Sequence, residues 1–206
     1  MVSSYCELLR RGYRGRLDDD ADQFIEFAVD GAQRMQLLIQ DLLAYSRVGA
    51  RGDAFRNTDA NRSLERALAN LQEAITESQA RISVDRLPTV FADEVQLAQL
   101  LQNLVSNAIK YRRDEPPEVR ISAEPRGAFW AFAVTDKGIG IEPRFARTVF
   151  EVFQRLHSRK EFPGTGIGLA ICKRIVERHG GEIWLDCEYR DGARFWFTLP
   201  EFGDYS

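Results

Sequence analysis

The sequence predicts an α+β protein in which an antiparallel helical hairpin precedes a two-layer α/β sandwich. Apolar residues recur at helical spacing across residues 20–47. Beyond a linker rich in glycine and charge, long apolar-faced helices are mixed with short strand-like segments. We therefore expect a mixed sheet of about five strands with three helices on one face. The predicted domains are a hairpin at 1–48, a linker at 49–57 and a larger domain at 58–206.

Composition excludes several classes of function. The chain has 206 residues, of which 44% are hydrophobic, and a net charge of -3. This balance argues against nucleic acid as the main partner. The three cysteines are far apart, match no metal spacing and suit a reducing compartment. We find no apolar run long enough to cross a bilayer and no signal peptide at Met1, so we expect a cytoplasmic location and no membrane segment in this chain.

Residues 1–48 predict two helices joined by a turn that contains Gly12 and Gly15. Asp18 to Asp20 provide an N-cap and acidic first turn for the second helix. The apolar positions of that helix follow the 4-3 spacing of a packed bundle: Phe24, Ala28, Gly31, Met35, Leu38, Leu42 and Tyr45.

The two predicted helices differ in length. At 1.5 Å per residue, Met1 to Arg14 spans roughly 21 Å and Asp20 to Arg47 roughly 42 Å. Leu37, Leu42 and neighbouring apolar residues would thus lack an equal partner within the hairpin. Either the following domain or a second copy covers them, or about four turns of the first helix lie upstream of Met1. The mismatch favours the second explanation.

The larger domain contains alternating helix and strand signals. Gly180 and Gly181 provide a helix stop, and residues 190–192 the turn of a final hairpin. The predicted helices are 61–78, 93–111 and 166–179, and the predicted strands are 81–85, 118–123, 129–134, 181–185 and 193–199.

A polar stripe marks the middle helix. Asn103, Asn107 and Lys110 fall at i, i+4 and i+7 and therefore share one face. Amide oxygens can bind Mg²⁺, and an ammonium group can contact phosphate. The alternative is an ordinary solvated stripe.

Two glycine-containing segments follow. Asp136 to Gly140 reads D-K-G-I-G at a strand end, where the glycines allow a sharp turn and the carboxylate can accept a hydrogen bond from an exocyclic amine. Residues 164–169 read G-T-G-I-G-L at the start of a helix, where free amides can hold phosphate. This second segment fits neither the Walker nor the Rossmann pattern. Each could also be an ordinary turn.

Between these segments lie Phe150 and Phe153, followed by a polar stretch. They are either core aromatics or anchors of a mobile loop. Taken together and in this order, the asparagine helix, D-x-G-x-G turn, F-x-x-F pair and G-x-G-x-G loop resemble the ATP-binding domain of sensor histidine kinases. The resemblance covers about residues 58–200. Residues 1–48 resemble the dimerisation hairpin that precedes this domain.

The resemblance implies a function and a set of roles. ATP and Mg²⁺ are the expected cofactors, with Asn107 as the Mg²⁺ ligand and Asn103 and Lys110 as the catalytic pair. Asp136 is expected to accept the adenine amino group, and Lys137 to point to solvent. The remaining expected nucleotide-binding residues are Tyr111, Gly138, Gly140, Arg155, His157, Gly164, Thr165, Gly166, Gly168 and Leu169. The expected partners are a second copy, through the hairpin, and the receiver domain of a response regulator.

One expected element is missing from the sequence. In the family the phosphate acceptor is a histidine on the first hairpin helix, but the only histidines here are His157 and His179. His179 is interpreted as a helix-end residue. We therefore expect a truncated hairpin that cannot phosphorylate itself.

Three functions remain open from the sequence. The first is a kinase module that transfers phosphate to a histidine elsewhere, and the second is a nucleotide-binding and dimerisation module without catalysis. The third is a hydrolytic ATPase, but related ATPases have a glutamate where Asn103 stands, and an amide is a poor general base.

Overall fold

The computed structural model describes residues 1–50, 54–157, 161–162 and 164–202, leaving out the side chains of residues 49 and 50. The chain divides into two compact units, 1–44 and 45–206. Among the described helices, none combines the length and apolar character that crossing a membrane requires.

The first unit is a helical hairpin, as predicted. Helix α1 spans Val2–Tyr13 and helix α2 spans Asp19–Ala50. Asp18 caps α2, because its Oδ1 accepts a hydrogen bond from the Ala21 amide at 2.8 Å. The two helices are antiparallel: Ser3 bonds to Gln36, Gln33 to Glu7, and Arg10 pairs with Glu26.

The apolar surface of the hairpin is largely exposed. Of the positions expected to pack, Phe24, Met35 and Leu42 are 66%, 53% and 50% exposed, whereas Val29 and Ala32 are buried. The predicted packing of those three is therefore not made within this chain. Leu37 and Leu43 are also at least half exposed, as the difference in helix length predicts.

The second unit begins within the last turns of α2. Helix α2 continues to Ala50 and the next strand, β1, begins at Arg56. The predicted linker at 49–57 is therefore shorter than expected, and its residues 51–53 lie outside the described residues.

The predicted five-stranded mixed sheet is confirmed. Its order is β2-β4-β5-β7-β6, with β2 parallel to β4 and the other pairs antiparallel. The sequence did not reveal a second sheet, in which β1 pairs antiparallel with β3. The strands are β1 Arg56–Asp59, β2 Arg81–Val84, β3 Thr89–Ala92, β4 Glu118–Arg126, β5 Phe129–Asp136, β6 Ile183–Leu185 and β7 Arg194–Pro200.

Within the described residues, four α-helices accompany the sheet where three were predicted, because 61–78 forms two. Leu71 adopts φ -103° and ψ 6°, and its amide bonds to Leu68 in a tighter turn. No glycine or proline marks this break, so the apolar periodicity looks continuous. The helices are α3 Ala60–Asn70, α4 Gln72–Ser78, α5 Glu94–Lys110 and α6 Gly168–Arg178.

The core lies between the helices and one face of the sheet. Phe132 of β5 stacks on Phe197 of β7 at 4.9 Å between ring centroids, and both are fully buried. Leu100, Leu101 and Leu104 bury the inner face of α5. This core fixes the C-terminal end of α5 beside the end of β5, where the predicted site residues are found.

Candidate functional site

The turn after β5 is locked to the end of α5. The Ile139 amide donates to the Tyr111 carbonyl at 2.9 Å. A Cβ atom on Gly138 would overlap that same carbonyl oxygen. Only glycine fits at this position without a shift of one backbone against the other.

Asp136, the last residue of β5, is held by backbone amides. Its Oδ1 accepts hydrogen bonds from Gly138 at 2.8 Å and from Ala193 at 3.0 Å. The side chain is buried, and this burial raises the pKa of the carboxyl group, outweighing the two amide bonds that lower it. Both amide bonds are made to Oδ1, so Oδ2 is the oxygen that can accept a further donor.

A cleft lies beside Asp136, and seven of the predicted site residues line it. Further apolar lining was missed, because Ala193, Phe195 and Val149 have no sequence signal that separates them from ordinary core. The predicted residues in the lining are Asn107, Tyr111, Asp136, Gly140, Arg155, His157 and Leu169.

The cleft is partly filled by the segment that crosses it. Its volume is about 70 Å³, and Leu156 and His157 are part of its wall. A cavity that holds a benzene ring has a volume of about 150 Å³. A purine ring therefore requires the segment 154–157 to move outward.

The polar stripe of α5 faces the cleft and the start of α6. Asn107 lines the cleft, and within the described residues its side-chain amide has no hydrogen bond. The Asn103 amide lies 3.4 Å from the Gly168 carbonyl, a weak hydrogen bond. The Lys110 ammonium donates to the Tyr111 hydroxyl at 2.9 Å. The predicted shared face of these three residues is observed.

Glycines shape the loop before α6. Gly164 and Gly166 have φ of +144° and +78°, values that residues other than glycine rarely adopt. A Cβ atom on Gly164 would lie 2.8 Å from the Lys110 ammonium nitrogen. The loop therefore passes directly over the polar stripe. Gly168 begins α6, and Thr165 lies between the two glycines of positive φ.

Arg155 is engaged with this loop in the structure. Its guanidinium donates to the carbonyls of Gly164 and Phe162. Tyr111 packs beside Phe162 and His157, with ring centroids 5.0 Å and 6.0 Å away.

The two phenylalanines of the F-x-x-F pair differ. Phe150 is buried against Phe195, while Phe153 is 59% exposed. The interpretation as core aromatics thus holds for Phe150 alone. Lys137 is exposed and pairs with Glu118, in agreement with the expected solvent position.

His179 lies away from the cleft, as expected for a helix-end residue. Its Nδ1 is 2.7 Å from the Ile175 carbonyl, and its Nε2 accepts a hydrogen bond from the Asp93 amide at 3.0 Å. Burial lowers the pKa of the imidazole. These bonds fix the neutral tautomer with a proton on Nδ1.

A metal would have few protein ligands at this cleft. Among the described residues, no group of three His, Cys, Asp or Glu side chains is arranged to hold a metal ion. The Asn107 side-chain amide, which has no hydrogen bond within the described residues, would suit an ion held mainly by a ligand's oxygens and water. Mg²⁺ commonly binds in this way.

Two family models match the chain. The model described as "Histidine kinase-, DNA gyrase B-, and HSP90-like ATPase" matches residues 92–202. The model described as "His Kinase A (phospho-acceptor) domain" matches residues 1–51. The second match contains no histidine.

Known proteins resemble nearly the whole chain. Cyanobacterial phytochrome A of Nostoc sp. (strain PCC 7120 / SAG 25.82 / UTEX 2576) is 50% identical over 202 residues, which is 98% of this chain and 26% of that protein. The chain spans about a quarter of the length of the phytochrome relatives it matches.

Solved structures share the fold. The catalytic domain of histidine kinase ThkA aligns with a TM-score of 0.62 and 25% identity, over 72% of this chain and 99% of that one. Full-length ShkA in complex with AMPPNP aligns with a TM-score of 0.68 and 24% identity, over 97% of this chain and 46% of that one.

Proposed function

Because the chain belongs to the sensor histidine kinases, we propose that its cleft binds Mg-ATP and that the γ-phosphoryl group of this ATP is transferred to a histidine. The catalytic domain is of the histidine kinase-, DNA gyrase B- and HSP90-like ATPase family. The single observation that carries this proposal is the convergence of Asp136, Asn107 and Tyr111 on one cleft. The glycine loop passes beside Lys110, at the end of the helix that carries Asn107.

Each group has a distinct part in binding. Asp136 Oδ2 accepts the adenine amino group, while its Oδ1 stays bonded to the two backbone amides. Tyr111 packs against the base, and Lys110 turns from the Tyr111 hydroxyl to the phosphates. Asn107 holds Mg²⁺, which neutralises phosphate charge when it is bound.

The glycine loop acts as a lid. The amides of residues 164–168 approach the phosphates at the N-terminus of α6. Outward movement of Leu156 and His157 opens the base pocket, and their return excludes water. Positioning and charge neutralisation are the main requirements of phosphoryl transfer, and these residues provide both.

The nucleophile must come from another segment or another chain. Residues 1–51 match the phospho-acceptor family but contain no histidine. His179 is buried in a fixed tautomer and His157 belongs to the cleft wall. We therefore assign the acceptor role to neither. A response regulator aspartate is the proposed final acceptor.

The hairpin is the proposed dimer surface. Phe24, Met35, Leu37, Leu42 and Leu43 are each at least half exposed along α2. Apolar residues at bundle spacing are stabilised by burial against further helices. A second hairpin supplies such helices, which explains their pattern better than a solvated surface does.

A nucleotide-binding module without catalysis is the second candidate, favoured by the absent acceptor. Hydrolysis is less well supported, because Asn103 is placed by the Gly168 carbonyl and carries no basic group. Transfer to an added acceptor separates the first two candidates, whereas nucleotide binding alone does not.

The test combines binding and transfer. Calorimetric titration with AMPPNP and Mg²⁺ should show one site per chain. A separate helical hairpin bearing the histidine motif is then incubated with the chain, Mg²⁺ and radiolabelled ATP. We expect acid-labile phosphate on that hairpin. Binding without any transfer would favour the non-catalytic module, and absence of binding would remove the proposal.

Matched variants sharpen the result. Asn107→Ala should lose Mg²⁺-dependent binding and transfer together. Glu124→Gln, an exposed residue of β4, should match the parent chain in both. Steady phosphate release without acceptor, abolished in Asn103→Ala, would favour hydrolysis.

A further inference from the structure

We propose that Arg174 and Arg178 are positioning residues, which clamp the segment leaving α2 onto the helix that begins at the nucleotide loop. Arg174 lies over the Tyr45 ring at 4.6 Å from its centroid. Arg178 lies over the Phe55 ring, also at 4.6 Å. Tyr45 belongs to the last turns of α2, and Phe55 directly precedes β1.

The two cation–π contacts are neighbours on α6 because of the spacing of the two arginines. Arg174 and Arg178 are at i and i+4 and therefore occupy the same face of α6. Val48, between the two anchored rings in sequence, is only 2% exposed. Arg174 thus holds Tyr45 near the end of α2, and Arg178 holds Phe55 just before β1.

Arg178 is itself fixed from the other side. Its guanidinium donates to Asp93 at 3.1 Å and to Gln96 at 2.8 Å, at the start of α5. Asp93 is 1% exposed as a side chain, so this ion pair is largely shielded from water. Phe55 also packs on the His179 ring at 4.6 Å. The clamp therefore joins Phe55 to both α5 and α6.

The same two helices carry the proposed nucleotide groups at their other ends. Helix α6 begins at Gly168, next to the glycine loop, and α5 ends at Lys110. Packed helices move as units rather than deforming continuously. We infer that nucleotide binding at one end and the hold on Tyr45 and Phe55 at the other are energetically linked. This step rests on the proposed function.

Linkage is reciprocal and can be measured from either end. Backbone hydrogen exchange of the peptide containing residues 54–57 reports the hold on the linker. We expect the double variant Tyr45→Ala/Phe55→Ala to exchange these amides at least about 10-fold faster. This rate change corresponds to an opening free energy that is lower by about 1.4 kcal/mol. Tyr45→Phe/Phe55→Tyr keeps both rings and should match the parent chain.

Adding nucleotide then tests whether its binding is linked to the hold on Tyr45 and Phe55. AMPPNP with Mg²⁺ should change exchange at 54–57 at least about threefold in the parent chain and in the ring-keeping variant. The double alanine variant should still bind AMPPNP, but its exchange there should not respond. Thermal unfolding of each variant establishes that it is folded.

The outcomes are distinct. Equal exchange in the alanine variant and the parent chain, without nucleotide, overturns the clamp. A response to nucleotide that is missing from the parent chain, or persists in the alanine variant, overturns the linkage. Failure of the parent chain to bind AMPPNP in calorimetry overturns the proposed function instead, while the exchange measured without nucleotide still decides the clamp.

Discussion

Gly138 packs so closely against Tyr111 that a single added carbon would overlap the Tyr111 carbonyl oxygen. The same carbonyl accepts the Ile139 amide at 2.9 Å. The turn after β5 and the end of α5 are therefore one rigid unit. This unit places Asp136 and Tyr111 on the same cleft.

Gly138→Ala should separate these two elements. The overlap is with backbone, so rotation of a side chain cannot relieve it, and overpacking of this kind costs about 1–3 kcal/mol. We expect a loss of stability in urea unfolding and at least a tenfold weaker Kd for AMPPNP. Gly12→Ala in α1, where no atom lies within 4 Å of the added carbon, is the control and should not lower stability. Equal stability of the two variants would contradict the rigid unit.

Much of the fold follows from the sequence, and so does part of the site. The strands of the main sheet and the stripe at Asn103, Asn107 and Lys110 have strong periodic signals, and the predicted family resemblance is confirmed. The break at Leu71 and the small sheet of β1 and β3 were missed, because tertiary packing and not local sequence decides them.

The site also contains features that no motif encodes. Oδ1 of Asp136 is already used by the backbone of Ala193, a residue far along the chain. The position of Leu156 and His157 in the cleft depends on loop packing. Motif spacing identifies which residues converge, but it cannot tell which oxygen or what volume remains for a ligand.

The glycines of the 164–168 loop should not be equivalent. Gly166 has φ of +78°, and a Cβ atom there would lie 2.8 Å from the Gln154 carbonyl oxygen. On Gly168 the nearest atom would be Asn103 Cγ at 3.9 Å, which is ordinary contact. Gly166→Ala should therefore weaken AMPPNP binding roughly tenfold more than Gly168→Ala, since strain of this kind costs about 1–3 kcal/mol. Similar Kd values for the two variants would show that the loop does not keep this conformation when nucleotide binds.

Asp136→Asn should separate stability from binding. Asparagine keeps an oxygen for the two backbone amides, but it presents an amide nitrogen where the carboxylate would accept the adenine amine. A lost bond to a charged group costs about 1.5–3 kcal/mol, so we expect AMPPNP to bind roughly 10- to 100-fold more weakly.

The stability of this variant follows from the sign of the pKa shift. Burial raises the pKa of Asp136 above 3.8 in the folded state. As the pH rises from 3.8 through the folded value, the unfolded chain loses its proton more readily than the folded chain does, so this carboxyl group lowers the free energy of unfolding. Asparagine does not titrate, so Asp136→Asn should be at least as stable as the parent chain at pH 7. Asp191→Asn, at an exposed carboxylate of the nearby turn, should change neither quantity appreciably. A marked loss of stability in Asp136→Asn alone would assign the carboxylate a structural role.

His179 should make stability depend on pH just below neutrality. Its Nε2 accepts the Asp93 amide, and protonation would replace that bond with two opposed N–H groups. Burial is the largest cause and lowers the pKa of the imidazole, and the Ile175 carbonyl raises it; of the charged groups, Arg178 lowers it and Asp93 raises it. The net pKa is lowered, so the unfolded chain binds the proton more readily than the folded chain does.

The stabilisation from neutral His179 is therefore complete above pH 6.5 and is lost as the pH falls from 6.5 toward the lowered folded value. Urea unfolding at pH 7.5 and at pH 5.5 should show a lower free energy of unfolding at pH 5.5. His179→Gln should reduce this dependence, whereas His157→Gln, which removes the only other histidine, should retain it. If the pH dependence disappears with His157 instead, the buried tautomer at the end of α6 is not the titrating group.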